Sequence, residues 1–195
     1  LGLLDFDNIH KLRRIDGLPG HPDVGTPHIE TNTGSLGMGI SKAKGFVFKN
    51  RVLGISPKIF VMTGDGELQE GQNWEAIMYA AGHKVDNLIA TVDLNGQQID
   101  GSTDDVLPMG NVKDKFLAFG WEVLEIEKGN NIVEIIKGLE EAKALTGKGK
   151  PVCVLLKTVM GNGVDFMMHT HAWHGKAPND EQLATGLEQN PETLG

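Results

Sequence analysis

The feature that most constrains this chain is a regular alternation of short apolar runs with stretches of helical periodicity. Lys58–Thr63 (KIFVMT), Asn87–Leu94 (NLIATVDL), Trp121–Ile126 (WEVLEI) and Pro151–Thr158 (PVCVLLKT) read as strands. Between them, Gln69–Gly82 carries Trp74, Ile77, Met78 and Ala81 at helical spacing, and Val112–Phe119 is a shorter helix. Ile132–Leu145 presents Ile132, Ile135, Ile136, Leu139 and Ala142 in the same way. Strands alternating with helices need crossover connections, so the expected fold class is α/β, a parallel β-sheet flanked by helices. The runs IFVMT and VCVLL are nearly all apolar, as strands buried on both faces are. Ligands in such sheets bind beyond the carboxyl ends of the strands, which directs attention to the residues after Met62, Val92 and Leu156.

Before the alternation, Leu1–Arg14 is expected to form a short amphipathic helix on Leu4, Ile9 and Leu12, capped by Asp5 or Asp7. Asp16–Thr33, rich in Pro, Gly, His and Thr, reads as an extended loop. Gly34–Lys49 opens on glycines and then turns helical, and Met160–Pro178 reads as a functional loop.

Composition narrows the function. The 195 residues suit one domain, and 39% apolar with 23% charged residues is a globular balance. A formal charge of −8 argues against nucleic-acid partners, which require phosphate neutralisation. The single cysteine excludes an internal disulfide and suits a reducing, cytoplasmic setting. No stretch approaches the roughly 20 apolar residues of a membrane span, so no membrane partner is expected. The first residue is Leu1, not Met, which reads as a start inside a longer product.

Two segments at the expected strand ends carry chemistry. Gly64-Asp65-Gly66-Glu67 follows the first strand, and Asp93-Leu94-Asn95-Gly96-Gln97 follows the second. Asp65 offers a carboxylate and Asn95 an amide oxygen, hard ligands suited to Mg²⁺ or Ca²⁺. Mg²⁺ favours one or two protein oxygens completed by phosphate and water. Gly64 and Gly66 allow close backbone approach to a phosphate, and a helix starting near Gln69 aims its amino end there. An isolated Gly-Asp-Gly is an ordinary turn. The pairing with Asn95, separated from Gly66 by the 28 residues Glu67–Leu94, is the more specific signal, because that span holds one helix and one strand.

Those residues, read as GDGELQEGQNWEAIMYAAGH…DNLIATVDLNGQQIDG, resemble the transketolases, thiamine-diphosphate enzymes. LPGHPD, ETNTGSLGMGIS, KTVMGNGV and WHGKAPND extend the resemblance from Leu18 to Pro178, and WHGKAPND is most like separately encoded amino-terminal subunits. The resemblance implies the diphosphate-binding domain. Asp65 and Asn95 would ligate the metal through side chains and Gln97 through its carbonyl, while Gly66 would donate its amide to the diphosphate. Gly34 and Ser35 would follow the cofactor along their backbone, with Leu36 and Ile99 as apolar contacts. Met38, Lys42 and Lys44 depart from the residues common in the family, so altered packing of their helix is expected.

The resemblance further assigns His21 to the donor's hydroxyl and carbonyl end and His174 to a bridge between diphosphate and donor, both as hydrogen-bond donors to a developing oxyanion. Glu70 and Glu75 would join a carboxylate network at a self-association interface linking two active sites, sharing protons. The implied activity is transfer of a two-carbon ketol unit from a ketose phosphate to an aldose phosphate. By the same resemblance, the glutamate beside the cofactor's aminopyrimidine ring would belong to a pyrimidine-binding domain, expected to lie outside this chain. A partner carboxy-terminal subunit is therefore expected to supply it in a heterotetramer, with this chain inactive alone and missing the family's first segment. Competing readings are a specialised sugar-phosphate transketolase, a deoxyxylulose-phosphate synthase, a non-catalytic interaction module and a dinucleotide-binding protein. The last would need its glycine fingerprint directly after a strand, whereas GSLGMG follows a loop.

Overall fold

The computed structural model describes residues 2–191. It divides into two compact units between Leu36 and Gly37.

In the first unit the expected amphipathic helix does not form. A 3₁₀ helix, Phe6–Lys11, takes its place, capped by the Asp5 carboxylate, which accepts the Asp7 amide at 3.1 Å. Leu4, Ile9 and Leu12 stay exposed. A short helix is marginal without a surface against which to bury its apolar stripe, and none of the residues in this one is buried. The loop that follows is held by polar contacts: the Asn32 side chain accepts the Val24 amide at 2.8 Å, and the Thr33 amide donates to the Pro22 carbonyl at 3.0 Å.

The second unit runs α1 (Gly39–Val52), β1 (Ile59–Gly64), α2 (Gly71–Gly82), β2 (Leu88–Leu94), β3 (Gln97–Gln98), β4 (Gly101–Ser102), α3 (Thr103–Val106), α4 (Val112–Ala118), β5 (Glu122–Ile126), α5 (Ile132–Leu145), β6 (Val152–Lys157) and α6 (Asp180–Gln189). Strands pair in the order β1-β2-β6-β5, all parallel, so the expected α/β class holds. The two short strands β3 and β4 form a separate antiparallel hairpin.

Alternation along the strands sorts two cores. Leu88, Ala90 and Val92 of β2 with Cys153 and Leu155 of β6 pack against Ile40, Ala43 and Val47 of α1, Ala76, Ile77 and Ala80 of α2, and Val112 and Phe116 of α4. Ile89, Val152, Val154 and Leu156 face the other way, against Ala142 and the half-buried Ile135 and Leu145 of α5. Helices thus cover both faces, and β6 is buried throughout except at Lys157. Burial of this kind contributes roughly 1.5–3 kcal/mol per large apolar side chain. Trp121 closes the first core, its indole donating to the Ile77 carbonyl at 2.9 Å.

Two expectations of burial are corrected. β1 is an edge strand, and its Phe60 and Met62 are 48% and 66% exposed, because no helix among the described residues covers that side of it. On α5, Ile132 and Ile136 face outward, while Gly138 takes the place nearest the sheet. A Cβ at Gly138 would run into Ile126 Cδ1, so the helix approaches β5 through a glycine and its apolar arc is rotated accordingly.

Candidate cofactor site

The site is built where β1 and β2 end. Their register sets Gly64 beside Asp93, so the segments that follow emerge side by side at one sheet edge. After Gly64 the chain does not enter a helix at once. Gly66–Gln69 forms a 3₁₀ turn, and α2 begins only at Gly71, because Glu70 is extended at ψ 120°. The helix expected from Gln69 is therefore displaced by this turn.

Asp65 caps the turn and is 1% exposed. Its Oδ1 accepts the Gly66 amide at 2.8 Å and its Oδ2 the Gly96 amide at 2.6 Å. Burial pushes the Asp65 carboxyl above its ordinary range; the Gly96 and Gly66 amides pull it back, and the nearby Asp93 charge adds to the rise. A buried carboxylate of this kind is a strong ligand for a hard cation, whose charge would offset the desolvation.

Asn95 follows β2. Its Nδ2 donates to Asp93 Oδ2 at 3.2 Å, and its Oδ1 accepts the Gln97 amide at 2.9 Å. Asp93 also accepts the Thr158 hydroxyl at the end of β6. The amide is thereby turned with its nitrogen toward Asp93 and its oxygen toward the Gln97 amide, which leaves that oxygen a second lone pair for a cation. Gln97 pairs with Ser102 in the β3–β4 hairpin, and Ile99 lies exposed at its tip. Gly66 sits under that hairpin: a Cβ there would come within 2.5 Å of Gln98 Cβ. Among the described residues no three His, Cys, Asp or Glu side chains form a metal cage. The donor set is instead one carboxylate, one amide oxygen and peptide groups, which fits a divalent cation completed by diphosphate oxygens.

Glu70 is the extended residue before α2, and Glu75 lies on its exposed face. Gly37, at φ +80°, packs so closely that a Cβ would approach Glu70 Cβ at 2.8 Å. His174 ends a 3₁₀ turn, His171–Trp173, in the loop after β6; it is exposed, and its backbone amide donates to the His171 carbonyl at 2.9 Å. In the first unit, Gly34 takes φ +94°, and a Cβ on it would meet the His21 ring at 2.7 Å. His21, Ser35 and Leu36 are exposed. Of the departures Met38, Lys42 and Lys44, Lys44 is accommodated by Tyr79: its Nζ lies 4.3 Å from the centre of that ring.

Glu67 and Asp93 also belong to this site, although the sequence pattern does not single them out. The one signal for Asp93 is its place two residues before Asn95, within reach of that side chain. Glu67 carried no such signal, because its partners lie elsewhere in the chain.

Known proteins share the sequence pattern and the fold of this chain. Residues 2–190 match the family described as transketolase, thiamine diphosphate binding domain. The chain belongs to that family. Transketolase relatives include an apulose-4-phosphate transketolase subunit of Actinobacillus succinogenes, 42% identical over 88% of this chain and 61% of its own length. The 6-deoxy-6-sulfo-D-fructose transketolase subunit SqwG of a Clostridium species is 41% identical over 88% of this chain and 62% of its own. The chain thus spans about three-fifths of these relatives. Among solved structures, the transketolase of Campylobacter jejuni superposes with a TM-score of 0.86 at 34% identity, covering 94% of this chain and 29% of that one. No helix among the described residues is long and apolar enough to cross a membrane.

Proposed function

We propose that this chain is the diphosphate-binding part of a two-subunit, cytoplasmic transketolase that moves a two-carbon ketol unit from a ketose phosphate to an aldose phosphate. The observation that carries this reading is the meeting of Asp65 with the Asn95–Gln97 segment through the 2.6 Å bond to Gly96. In this reading Asp65, Asn95 and the Gln97 carbonyl hold Mg²⁺, or Ca²⁺ in its place, and the Gly66 amide, which donates to Asp65 Oδ1 at 2.8 Å without ligand, turns to the diphosphate when the cofactor binds. When bound, thiamine diphosphate supplies a nucleophilic carbon that takes up the ketol unit.

The chain's own residues position and polarise. Gly34, Ser35, Leu36 and Ile99 line the cofactor. His21 and His174 donate hydrogen bonds to the donor sugar's oxygen as it gains charge. Glu70 and Glu75 take part in contacts with a second copy, and a partner subunit completes the site with the pyrimidine-binding domain. Two relatives named for specialised sugars favour a specialised donor over a general pentose-phosphate one.

The test is co-expression with the gene's chromosomal neighbour, followed by ketol-transfer assays over a donor panel that includes apulose 4-phosphate, 6-deoxy-6-sulfo-D-fructose and xylulose 5-phosphate. Transfer that requires both subunits, thiamine diphosphate and a divalent cation is expected. Transfer by this chain alone, or no thiamine diphosphate binding by the assembled pair, would overturn the reading.

A further inference from the structure

Glu67 stands directly after Gly66, where an acidic side chain aimed at the ligand would repel a diphosphate. It is instead folded back. Its Oε1 accepts the amide of Gly37, thirty positions earlier, at 2.8 Å, and its Oε2 accepts the Gly64 amide at 3.3 Å. Its backbone carbonyl accepts the Asn73 side-chain amide at 2.6 Å, and Asn73 is fully buried in the first turn of α2. One residue therefore gathers the last residue of β1, the approach to α1 and the start of α2. Gly37 is buried, and its positive φ belongs to a backbone that needs outside bonds to stay fixed.

We infer that Glu67 is a positioning residue, a latch that pre-forms the Gly64–Gly66 turn by binding the Gly37 and Gly64 amides with its two carboxylate oxygens. The inference rests on the proposed role of that turn in holding diphosphate and metal. A glycine-rich turn left to itself samples many conformations, and a ligand that must order it binds more weakly. The latch removes that ordering cost before the ligand arrives. It also commits the Glu67 charge to peptide N–H groups, away from the diphosphate. The neighbouring Gln69 is tied to a different segment: its amide donates to the Thr103 and Leu107 carbonyls at 3.2 and 2.9 Å.

The test has two readouts. Amide hydrogen exchange at Gly37 and Gly64 is measured in the full chain without ligand. Thiamine diphosphate affinity at saturating Mg²⁺ is measured calorimetrically in the chain assembled with its partner subunit. Glu67→Ala should exchange both amides at least about tenfold faster and weaken binding about tenfold. Glu67→Gln, whose single carbonyl oxygen keeps one of the two bonds, should fall between. Gln69→Ala should leave exchange at both glycines unchanged. If Glu67→Ala does not fold, Glu67→Gln decides by the same readouts. A wild type that binds no thiamine diphosphate overturns the proposed function and the latch together. A wild type that binds, beside folded Glu67 variants that bind equally well or protect both amides equally well, overturns the latch alone.

Discussion

The Oδ2 of Asp65 and the amide of Gly96 lie 2.6 Å apart, joining the segments that follow two neighbouring parallel strands. With its other oxygen on the Gly66 amide, Asp65 holds the candidate site together without a ligand. Asp65→Ala would leave two N–H groups without their acceptor, costing about 1–3 kcal/mol for each that stays buried. Denaturant unfolding of the unliganded chain should show a loss in that range. Calorimetry on the assembled enzyme should show metal-dependent cofactor binding abolished.

The raised pKa of Asp65 sets a pH dependence. Because the folded value lies above the unfolded one, the folded state holds the proton more tightly. Asp65 therefore favours folding most below the ordinary aspartate range, and that contribution is lost as pH rises through its own pKa. Thermal unfolding of wild type relative to Asp65→Asn, without metal, should show the wild type losing ground as pH rises across this window. A wild-type advantage that grows with pH would contradict the assignment.

Gly66 has room for hydrogen only. Gly66→Ala would drive a methyl into Gln98 Cβ and lift the β3–β4 hairpin from the turn. Cofactor affinity should fall at least about tenfold. The pair Gly66→Ala with Gln98→Gly should recover much of that loss, since the obstructing Cβ is gone. Failure of the pair to recover would place the defect elsewhere.

Trp121 offers a change in stability away from the site. Trp121→Phe removes the buried donor to the Ile77 carbonyl and should cost about 1–3 kcal/mol in chemical unfolding. Cofactor affinity of the folded variant should stay within about twofold of wild type.

His21 and His174 are both exposed, so their loss should leave the fold intact. His21→Ala and His174→Ala should each lower turnover in the assembled enzyme by at least about a hundredfold, as removal of an oxyanion donor does. Unchanged melting temperatures with near-normal rates in both would refute their role.

The sheet was legible in the sequence because buried strands leave continuous apolar runs, and VCVLL is indeed covered on both faces. The segments expected to carry ligands do leave the carboxyl ends of adjacent strands. Helix α5 runs over Ile132–Leu145 as its spacing indicates, yet Ile132 and Ile136 face outward, because periodicity gives a face only approximately and Gly138 rotates the contact. IFVMT could not reveal that its strand lies at an edge, which is a property of strand order. Helix α6 was missed although Asn179 and Gln182 form a capping box that marks its start. The 3₁₀ turn at Gly66–Gln69 was missed as well, since its shape depends on Glu67 reaching Gly37, far away in the chain.

Register has a further consequence. Gly64 lies opposite Asp93, and Asp93 opposite Leu156, so the functional segments begin at fixed counts from paired positions. Shifting β2 by a single residue would invert which side chains meet each core and carry Asn95 away from Asp65. Substitutions inside these strands can be absorbed by repacking, but insertions and deletions cannot. In a length-variant library the stretch from Ile59 to Asn95 should tolerate frame-preserving indels only at His83 and Lys84, exposed turn residues between α2 and the buried Val85.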